Sequence, residues 1–304
     1  MFEAVLLTVI TAATPLLIAA IGELVVERSG VLNLGVEGMM IMGAVVGFAV
    51  ANQTGSGSLG VVAAIGAGMA MSALFAFLVL VMVTNQVASG LALTILGLGL
   101  SGMIGEAFIG VPGLKLPELH IPFLSDLPFI GPVVFQQDAL VYVAFALVAG
   151  VSYMLFRTRM GLVLRSVGDN HASAHALGYS VIKVRFLAIL FGGACAGLAG
   201  AYMSLAYTPQ WVENMTAGRG WIALALVVFA SWLPWRVVAG AYLFGAVTVL
   251  TFHAQAQGFG IPSQFLSSLP YLATIVVLVL ISANRRLTLV NTPACLGKPF
   301  VPDR

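Results

Sequence analysis

The sequence predicts an all-α protein that is a bundle of transmembrane helices. Apolar residues make up 60% of the 304 residues and charged residues only 8%, whereas soluble domains carry about 25% charged residues. About nine apolar stretches approach the roughly 20 residues that a helix needs to cross a membrane. A spanning backbone must satisfy its own hydrogen bonds, so such stretches fold as helices. We therefore predict one polytopic transmembrane domain over residues 1–304.

The predicted spans follow one another with mostly short connections. The chain begins with an acidic, not a basic, stretch and lacks a small-residue cleavage site, so the first apolar stretch is predicted to be a span and not a signal peptide. Five prolines within 111–138 exclude a continuous helix there and predict a loop. The predicted spans are 4–22, 37–53, 60–84, 88–110, 139–156, 186–207, 220–235, 237–253 and 268–284.

Basic residues predict the orientation, since Lys and Arg concentrate in cytoplasmic loops. The segment 157–185 carries five basic residues against one acid, so it is predicted to be cytoplasmic. The proline-rich loop 111–138, one span earlier, is then external. Counting onward places the C-terminus in the cytoplasm and the N-terminus outside. The five basic residues are Arg157, Arg159, Arg165, Lys183 and Arg185, and the acid is Asp169.

The segment 157–185 is too polar to cross a membrane, but part of it is compatible with a helix. Leu162, Leu164 and Val167 offer apolar positions within Gly161–Leu177, which predicts a short helix on the cytoplasmic face. Such a helix can dock on a soluble partner and transmit its movement, because rigid elements carry rigid-body motions. An ordinary basic loop is the alternative that the residues leave open.

The polar stretch SGVLNLGVEG at 29–38 follows the first span. Each glycine weakens a helix by about 1 kcal/mol relative to alanine, so a broken helix is predicted. Non-helical backbone at membrane depth must be buried or line a wet cavity, which makes Asn33 and Glu37 candidates for a translocation path; an interfacial turn is the alternative. The remaining path candidates are neutral polar residues that also serve to join helices: Asn85, Gln86, Ser89 and Thr94.

Glycine spacing predicts close helix packing. Gly43 with Gly47, and Gly193 with Gly197 and Gly200, have the small-xxx-small spacing that lets helix backbones approach each other. This spacing is common in membrane bundles, so we interpret it as packing and not as a binding site.

Arg219 lies at a predicted external boundary, against the trend of the other basic residues. Pairing with Glu213, contact with a docked protein and interfacial anchoring are the alternative explanations. His171 and His175 are four residues apart but lack the Glu of an H-E-x-x-H motif, so no metal site is predicted. The pattern G-x-x-x-x-G-K-[ST] does not occur, which argues against a phosphate-binding P-loop in this chain.

The cytoplasmic segment resembles the coupling-helix loop of a permease family. That family serves ribose, branched-chain amino acids and nucleosides in bacterial ABC importers. Its other signatures are similar to ERSGVLNLGVEGMMIMGA at 27–44, TNQVASGLALTILGLGL at 84–100 and ENMTAGRGWIALALVVFASWLPW at 213–235. His171 departs from the usual Pro, and His175 from a small residue. The residues assigned to coupling by this resemblance are Gly161, Leu164, Arg165, Val167, Gly168, Asp169, Asn170, Ala174 and Gly178.

The resemblance implies a type II importer-like permease of the bacterial inner membrane, nearest to the nucleoside and simple-sugar branch. Three protein partners follow from it: a cytoplasmic ABC ATPase, an extracytoplasmic solute-binding protein and a second permease, with a heterodimer favoured over a homodimer. The chain itself is expected to bind no cofactor, since ATP is used by the ATPase. A net charge of +2 argues against a nucleic-acid partner.

Three alternatives remain open at this stage. A branched-chain amino acid permease of the same family is the nearest one. An ion-coupled secondary transporter should show inverted repeats with broken helices, and no second copy of 27–44 is evident. An intramembrane hydrolase needs a nucleophile and a base on facing spans, and His253 has no obvious partner.

Overall fold

The computed structural model describes residues 2–117, 119, 131, 135–256, 262–282 and 291–301. Within these ranges the regular structure is helical, which confirms the predicted fold class. Each of the predicted spans overlaps a helix. The helices are α1 (Phe2–Arg28), α2 (Val36–Thr54), α3 (Gly57–Ala76), α4 (Gln86–Gly105), α5 (Ala139–Arg157), α6 (Arg159–Asp169), α7 (His171–Ala176), α8 (Val181–Tyr202), α9 (Arg219–Phe229), α10 (Pro234–Ala256) and α11 (Ser263–Ser282).

Among the described residues, seven helices are long and apolar enough to cross a membrane. Two of them are prolonged by π-helical turns, α3 through Val81 and α8 through Tyr207. The end of the last predicted span, beyond Ser282, lies outside the described residues. The seven helices are Val5–Arg28, Val36–Thr54, Gly57–Val81, Gln86–Phe108, Ala139–Arg157, Val181–Tyr207 and Pro234–Gln255.

The predicted span 220–235 is a shorter helix than expected. Helix α9 has 11 residues, or about 16 Å at 1.5 Å per residue, roughly half of the 30 Å hydrocarbon core. It begins after Gly218 at φ 83 and is followed by Ser231 and Trp232 at φ 49 and 55. Left-handed backbone conformations are incompatible with a right-handed helix, so these residues end the helix on both sides.

Helices α1, α2, α3 and α8 form the core of the bundle, and glycine contacts set their separation. A Cβ atom on Gly43 would lie 2.5 Å from the Cα of Gly197, and one on Gly68 would lie 2.8 Å from that same atom. Ser204 Oγ also donates a hydrogen bond to the carbonyl of Ala44, at 2.9 Å. The predicted packing role of the glycine spacing is thus confirmed.

The connection between α1 and α2, residues 29–35, is not helical, as predicted. It is mostly buried and receives hydrogen bonds from other parts of the chain. The N–H of Gly297 donates to Gly30 O at 3.1 Å, and Thr94 Oγ1 donates to Leu34 O at 3.1 Å. This irregular backbone is stable inside the bundle because protein groups replace the helical hydrogen bonds.

The two ends of the bundle differ in what they carry. One end contains the last turn of α1, helices α6 and α7, and a tail formed by residues 291–301. We call it the α6–α7 end. At the opposite end Asn52 Nδ2 donates to Pro112 O at 3.1 Å, and the N–H of Leu116 donates to Leu205 O at 2.9 Å. The described margins of the proline-rich loop therefore lie away from α6 and α7. Residues 118, 120–130 and 132–134 of that loop lie outside the described part of the chain.

Candidate functional site

The short helix predicted within 161–177 corresponds to α6, and a second helix, α7, follows it in the same segment. We call residues 158–180, from the N-cap of α6 to the N-cap of α8, the α6–α7 element. Asn170 interrupts the helix with φ −150 and ψ 91, and its side chain accepts a hydrogen bond from the N–H of Ser173 at 3.0 Å. Asn favours this capping position over a helix interior because its side chain competes for backbone groups. Thr158 caps α6 in the same way, accepting from the N–H of Gly161 at 3.2 Å.

Most of the residues assigned to coupling face inward. A Cβ atom on Gly168 would collide with the carbonyl oxygen of Arg28, so the two backbones touch. Val167 and Ala174 form a small apolar cluster with Val181. These residues therefore fix the position of the α6–α7 element on the bundle and cannot reach a partner. The buried members of the predicted set are Gly161, Leu164, Val167, Gly168 and Ala174.

The outer surface of the element contains the rest of that set. Asp169, Asn170 and Gly178 are exposed. Arg165 is half-buried, with its guanidinium 5.3 Å from the centre of the Phe156 ring. The large apolar side chain with the highest exposed fraction in this element was not among the predicted residues: Leu177 is 78% exposed just after α7. Its position beyond the last helical turn is the signal that could have identified it.

Arg185 joins three parts of the chain at the α6–α7 end. Its side chain is 1% exposed and donates to Ser29 O at 3.2 Å and to Lys298 O at 3.1 Å. A further nitrogen lies 3.2 Å from His171 Nδ1. The sequence identified Arg185 only as a topology signal. Its fixed fork of donors instead makes it the group that holds α7, the α1–α2 connection and the tail together.

The tail packs directly on the α6–α7 element. The N–H of Cys295 donates to Gly168 O at 2.8 Å, and the Phe300 ring lies 5.2 Å from that of His171 and 5.4 Å from that of His175. Burial lowers the pKa of His171 below its usual value, and the nearby charges of Arg185 and Lys298 lower it further. The tail and the α6–α7 element thus lie on the same side of the bundle.

The predicted path residues support the buried α1–α2 connection. Gln86 Oε1 accepts from the N–H of Leu32 at 2.9 Å, and Asn33 Oδ1 accepts from the N–H of Gly35 at 2.9 Å. Thr94 donates to Leu34 O, as described above. Hydrogen bonding of this irregular backbone explains why polar residues occur in these apolar segments. Their assignment to a translocation path stays a prediction.

Two further path candidates cap or join helices. Asn85 is exposed and accepts from the N–H of Ala88 at 3.0 Å, which caps α4. Ser89 is buried, and its hydroxyl lies 2.8 Å from that of Thr84. Neither contact involves the α1–α2 connection, so these residues fix the start of α4 instead.

Glu37 caps the half-length helix α9. The carboxylate is 2% exposed and accepts from the N–H groups of Gly218 at 2.8 Å and Gly220 at 2.6 Å, and from the hydroxyl of Thr216. A carboxylate at a helix N-terminus binds free N–H donors and complements the helix dipole. At its other end α9 leads to Trp232, whose carbonyl accepts from Arg28. Helix α9 is therefore held between Glu37 and the α6–α7 end.

Two buried carboxylates of α1 were not assigned to the site. Trp232 Nε1 donates to Glu27 Oε2 at 2.6 Å, and the N–H of Asn33 donates to Glu23 Oε1 at 3.3 Å. Both side chains are 1% exposed. Their spacing of four residues within an apolar helix is the signal that places them on one face. Through these hydrogen bonds, Glu23 of α1 helps to fix the α1–α2 connection, and Glu27 helps to fix the chain after α9.

Arg219 at the start of α9 is anchored within its own segment. Its guanidinium donates to Met215 O at 3.0 Å and lies 5.7 Å from the centre of the Tyr207 ring. These contacts fit the interfacial-anchor alternative. Glu213 is exposed and lies near Gly102 of α4. Its role as part of an external docking surface stays a prediction.

The sequence matches a known family over nearly its whole length. A family profile described as the branched-chain amino acid transport system permease component matches residues 5–283. The chain belongs to this permease family. It is therefore a membrane-embedded transport subunit, and the family resemblance noted from the sequence is confirmed.

Several characterised and putative permeases are similar to this permease. A putative glucose ABC transporter permease, TsgC13 of Haloferax volcanii, is 43% identical over 88% of each chain. The nucleoside ABC transporter permease NupC of Lactococcus lactis is 34% identical over 88% of this chain and 89% of its own. The guanosine ABC transporter permease NupQ of Bacillus subtilis is 30% identical over 96% and 94%. No solved structure matches the permease.

Proposed function

We propose that the permease forms one half of the translocation path of an ABC importer for a nucleoside or simple sugar. The observation that supports this most directly is the α6–α7 element. It joins two membrane spans, packs Gly161 and Gly168 on the bundle and exposes Leu177 outward. An exposed apolar side chain on a rigid, polar element is suited to a groove on a soluble ATPase.

The contacts of this element indicate how movement would pass into the membrane. Gly168 touches the backbone of Arg28, and Arg28 Nη2 donates to Trp232 O at 3.0 Å. Trp232 follows α9, whose other end is capped by Glu37 near the start of α2. A displacement of α6 by the ATPase would thus reach the end of α1 and both ends of α9. ATP binding and hydrolysis, carried out by the partner, would bias two packings of these helices.

The proposed orientation places the α6–α7 end in the cytoplasm. The excess of basic residues over 157–185 supports this, because Lys and Arg are retained on the cytoplasmic side. The tail lies at the same end, so the C-terminal residues would also be cytoplasmic. The N-terminus and the proline-rich loop would then face the extracytoplasmic solute-binding protein. The membrane is proposed to be the inner membrane of a bacterium.

The names of the relatives support the proposed solute and subunit composition. They include nucleoside, guanosine and glucose permeases. Two pairs of relatives share an organism and a solute: NupQ with NupP, and TsgC13 with TsgB13. In each pair this chain is more similar to one member, at 30% against 25% and at 43% against 24% identity. We therefore propose a heterodimer with a second permease.

The docking role of the α6–α7 element can be tested with two matched leucines. Leu177→Glu places a charge on the exposed element, whereas Leu119→Glu places one on a leucine that is 44% exposed at the opposite end. We expect Leu177→Glu to insert normally but to lose co-purification with the ATPase and ATP-driven uptake into vesicles. Leu119→Glu should retain the ATPase. Normal uptake and ATPase binding in Leu177→Glu would contradict the proposed docking surface.

The solute is tested separately with the assembled importer. Vesicles that contain both permeases, the ATPase and the binding protein should accumulate labelled guanosine or glucose only when ATP is supplied. Uptake that follows an ion gradient and survives ATPase inhibition would favour a secondary transporter instead. Uptake of labelled leucine alone would favour the branched-chain amino acid alternative.

A further inference from the structure

An apolar groove lies between α5 and α8 at the α6–α7 end. It has a volume of about 850 Å³, and helices α1, α5, α6 and α8 contribute to its wall. Apolar side chains form nearly all of the lining, and Arg159 and Tyr179 are the polar exceptions. The groove is lined by, among others, Val143, Leu147, Met154, Val163, Leu187 and Phe191.

The groove has the length of one membrane leaflet. On α5 its lining extends from Val143 to Met154, which is about 16 Å at 1.5 Å per residue. The hydrocarbon core of a bilayer is roughly 30 Å thick, so this length corresponds to about half of the core. Both α5 and α8 belong to helices that can cross the membrane. An extended acyl chain of one leaflet therefore matches the groove in length and in chemistry.

A basic residue lines the end of the groove that lies at the membrane surface, and two more are close to the lining in sequence. Arg159 is exposed at the start of α6, and Tyr179, also in the lining, is 44% exposed before α8. Exposed Arg157 is the last residue of α5, and exposed Lys183 lies in the first turn of α8. Basic pockets between transmembrane helices bind anionic lipid headgroups. Charge complementarity thus favours a negatively charged phospholipid over a zwitterionic one.

We propose that this groove binds an anionic phospholipid of the leaflet next to the α6–α7 element. One acyl chain lies between α5 and α8, and the phosphate contacts the guanidinium of Arg159. Because Met160, Val163 and Leu164 of α6 form part of the wall, the lipid supports the α6–α7 element from the membrane side. The proposal requires only that the bundle is embedded in a membrane, and it depends on neither the solute nor the ATPase contact.

The experiment uses the full-length permease, purified in mild detergent and analysed by native mass spectrometry. Phosphatidylglycerol and phosphatidylcholine with identical acyl chains are added in equal amounts. Gly150→Leu fills the groove, since Gly150 lines it and a Cβ atom there meets no atom within 4 Å. Gly66→Leu is the matched control, because Gly66 of α3 is equally open and lies outside the groove. Arg159→Gln removes the proposed phosphate contact.

We expect the wild type and Gly66→Leu to retain phosphatidylglycerol in preference to phosphatidylcholine. Gly150→Leu should lose the bound lipid, and Arg159→Gln should reduce the preference for phosphatidylglycerol about fivefold, the contribution of one basic residue near a charged lipid surface. Equal lipid retention in Gly150→Leu and the wild type would overturn the proposal. Equal binding of the two lipids would also overturn it. So would a cross-link from the Gly150→Cys variant to the second permease in the assembled importer, which would show that a polypeptide fills the groove.

Discussion

The contact between α3 and α8 predicts opposite effects for two neighbouring glycine substitutions. A Cβ atom on Gly68 would overlap the carbonyl oxygen of Gly193 and lie 2.8 Å from the Cα and N of Gly197. All of these are backbone atoms, which cannot rotate away as a side chain can. The helices must therefore separate by several tenths of an ångström. A Cβ atom on Gly66, two residues earlier, meets nothing within 4 Å.

The expected magnitudes follow from two terms. Replacing Gly with Ala favours a helix by about 1 kcal/mol, and both variants gain this term. Overpacking of a close contact costs about 1–3 kcal/mol, and only Gly68→Ala carries this cost. The difference in free energy of unfolding between the two variants thus isolates the packing contribution, at about 1–3 kcal/mol. Gly66→Ala should be at least as stable as the wild type.

The assay is equilibrium unfolding of the purified permease in mixed micelles, followed by circular dichroism. A second variant sharpens the test, because Gly197→Ala would place a Cβ atom against Ala64 O on the same pair of helices. Once the helices have separated for one Cβ atom, the second costs less, so the double variant should be less destabilised than the sum of the two single variants. Equal stability of Gly66→Ala and Gly68→Ala would refute the close approach of α3 and α8.

Three further outcomes are expected. Glu37→Gln replaces one acceptor with an NH2 group beside the N–H donors of α9, and a hydrogen bond to a charged group contributes about 1.5–3 kcal/mol. Hydrogen exchange of the amides in the first turn of α9 should therefore accelerate about 10- to 100-fold, and unchanged exchange would argue against the cap. Arg185→Lys retains the charge but not the forked guanidinium donors, so a protease should cleave the tail several-fold faster than in the wild type. The control Arg157→Lys, at an exposed position, should leave the cleavage rate unchanged, and equal rates for Arg185→Lys and the wild type would contradict the role of Arg185. The pKa of His171 is lowered in the folded chain, so protonation of His171 favours the state in which the tail is undocked. Docking of the tail should therefore weaken as the pH falls below about 6.5, the ordinary pKa of histidine. A spin label at Val301, which is 64% exposed, should become more mobile between pH 7.5 and 5.5 in the wild type, and a similar pH response in His171→Gln would exclude His171 as its source.

The positions of the spans could be predicted because apolar composition alone determines them. The length of α9 could not, since it depends on the left-handed backbones of Gly218, Ser231 and Trp232, which no hydropathy pattern shows. The segment 219–235 is apolar whether or not its helix is interrupted. The short helix within 161–177 was predicted, but the second helix, α7, was not, although the capping preference of Asn170 is a local signal that the sequence does contain.

The candidate site illustrates a different limit of sequence analysis. Polar residues within apolar segments were identified correctly, but their partners lie far along the chain. Glu37 binds the backbone 181 and 183 residues away, and Thr94 binds Leu34 across 60 residues. Similarly, the motif that identified the coupling loop includes Gly161 and Gly168, which are buried. A sequence motif does not separate the residues that position a loop from the residues that a partner can touch. Burial in the structure makes this distinction.

Arg185 also constrains the order in which the permease assembles during synthesis. Its partners Ser29 and Lys298 precede it by 156 residues and follow it by 113. Until Lys298 has left the ribosome, a cation destined for burial has only part of its final set of acceptors, and an incompletely paired buried charge is costly. The spans can enter the lipid one after another, but the α6–α7 element, which is proposed to meet the ATPase, reaches its final geometry only after residue 298 is made. The proposed engagement of the ATPase would thus be restricted to chains that have been translated beyond Lys298.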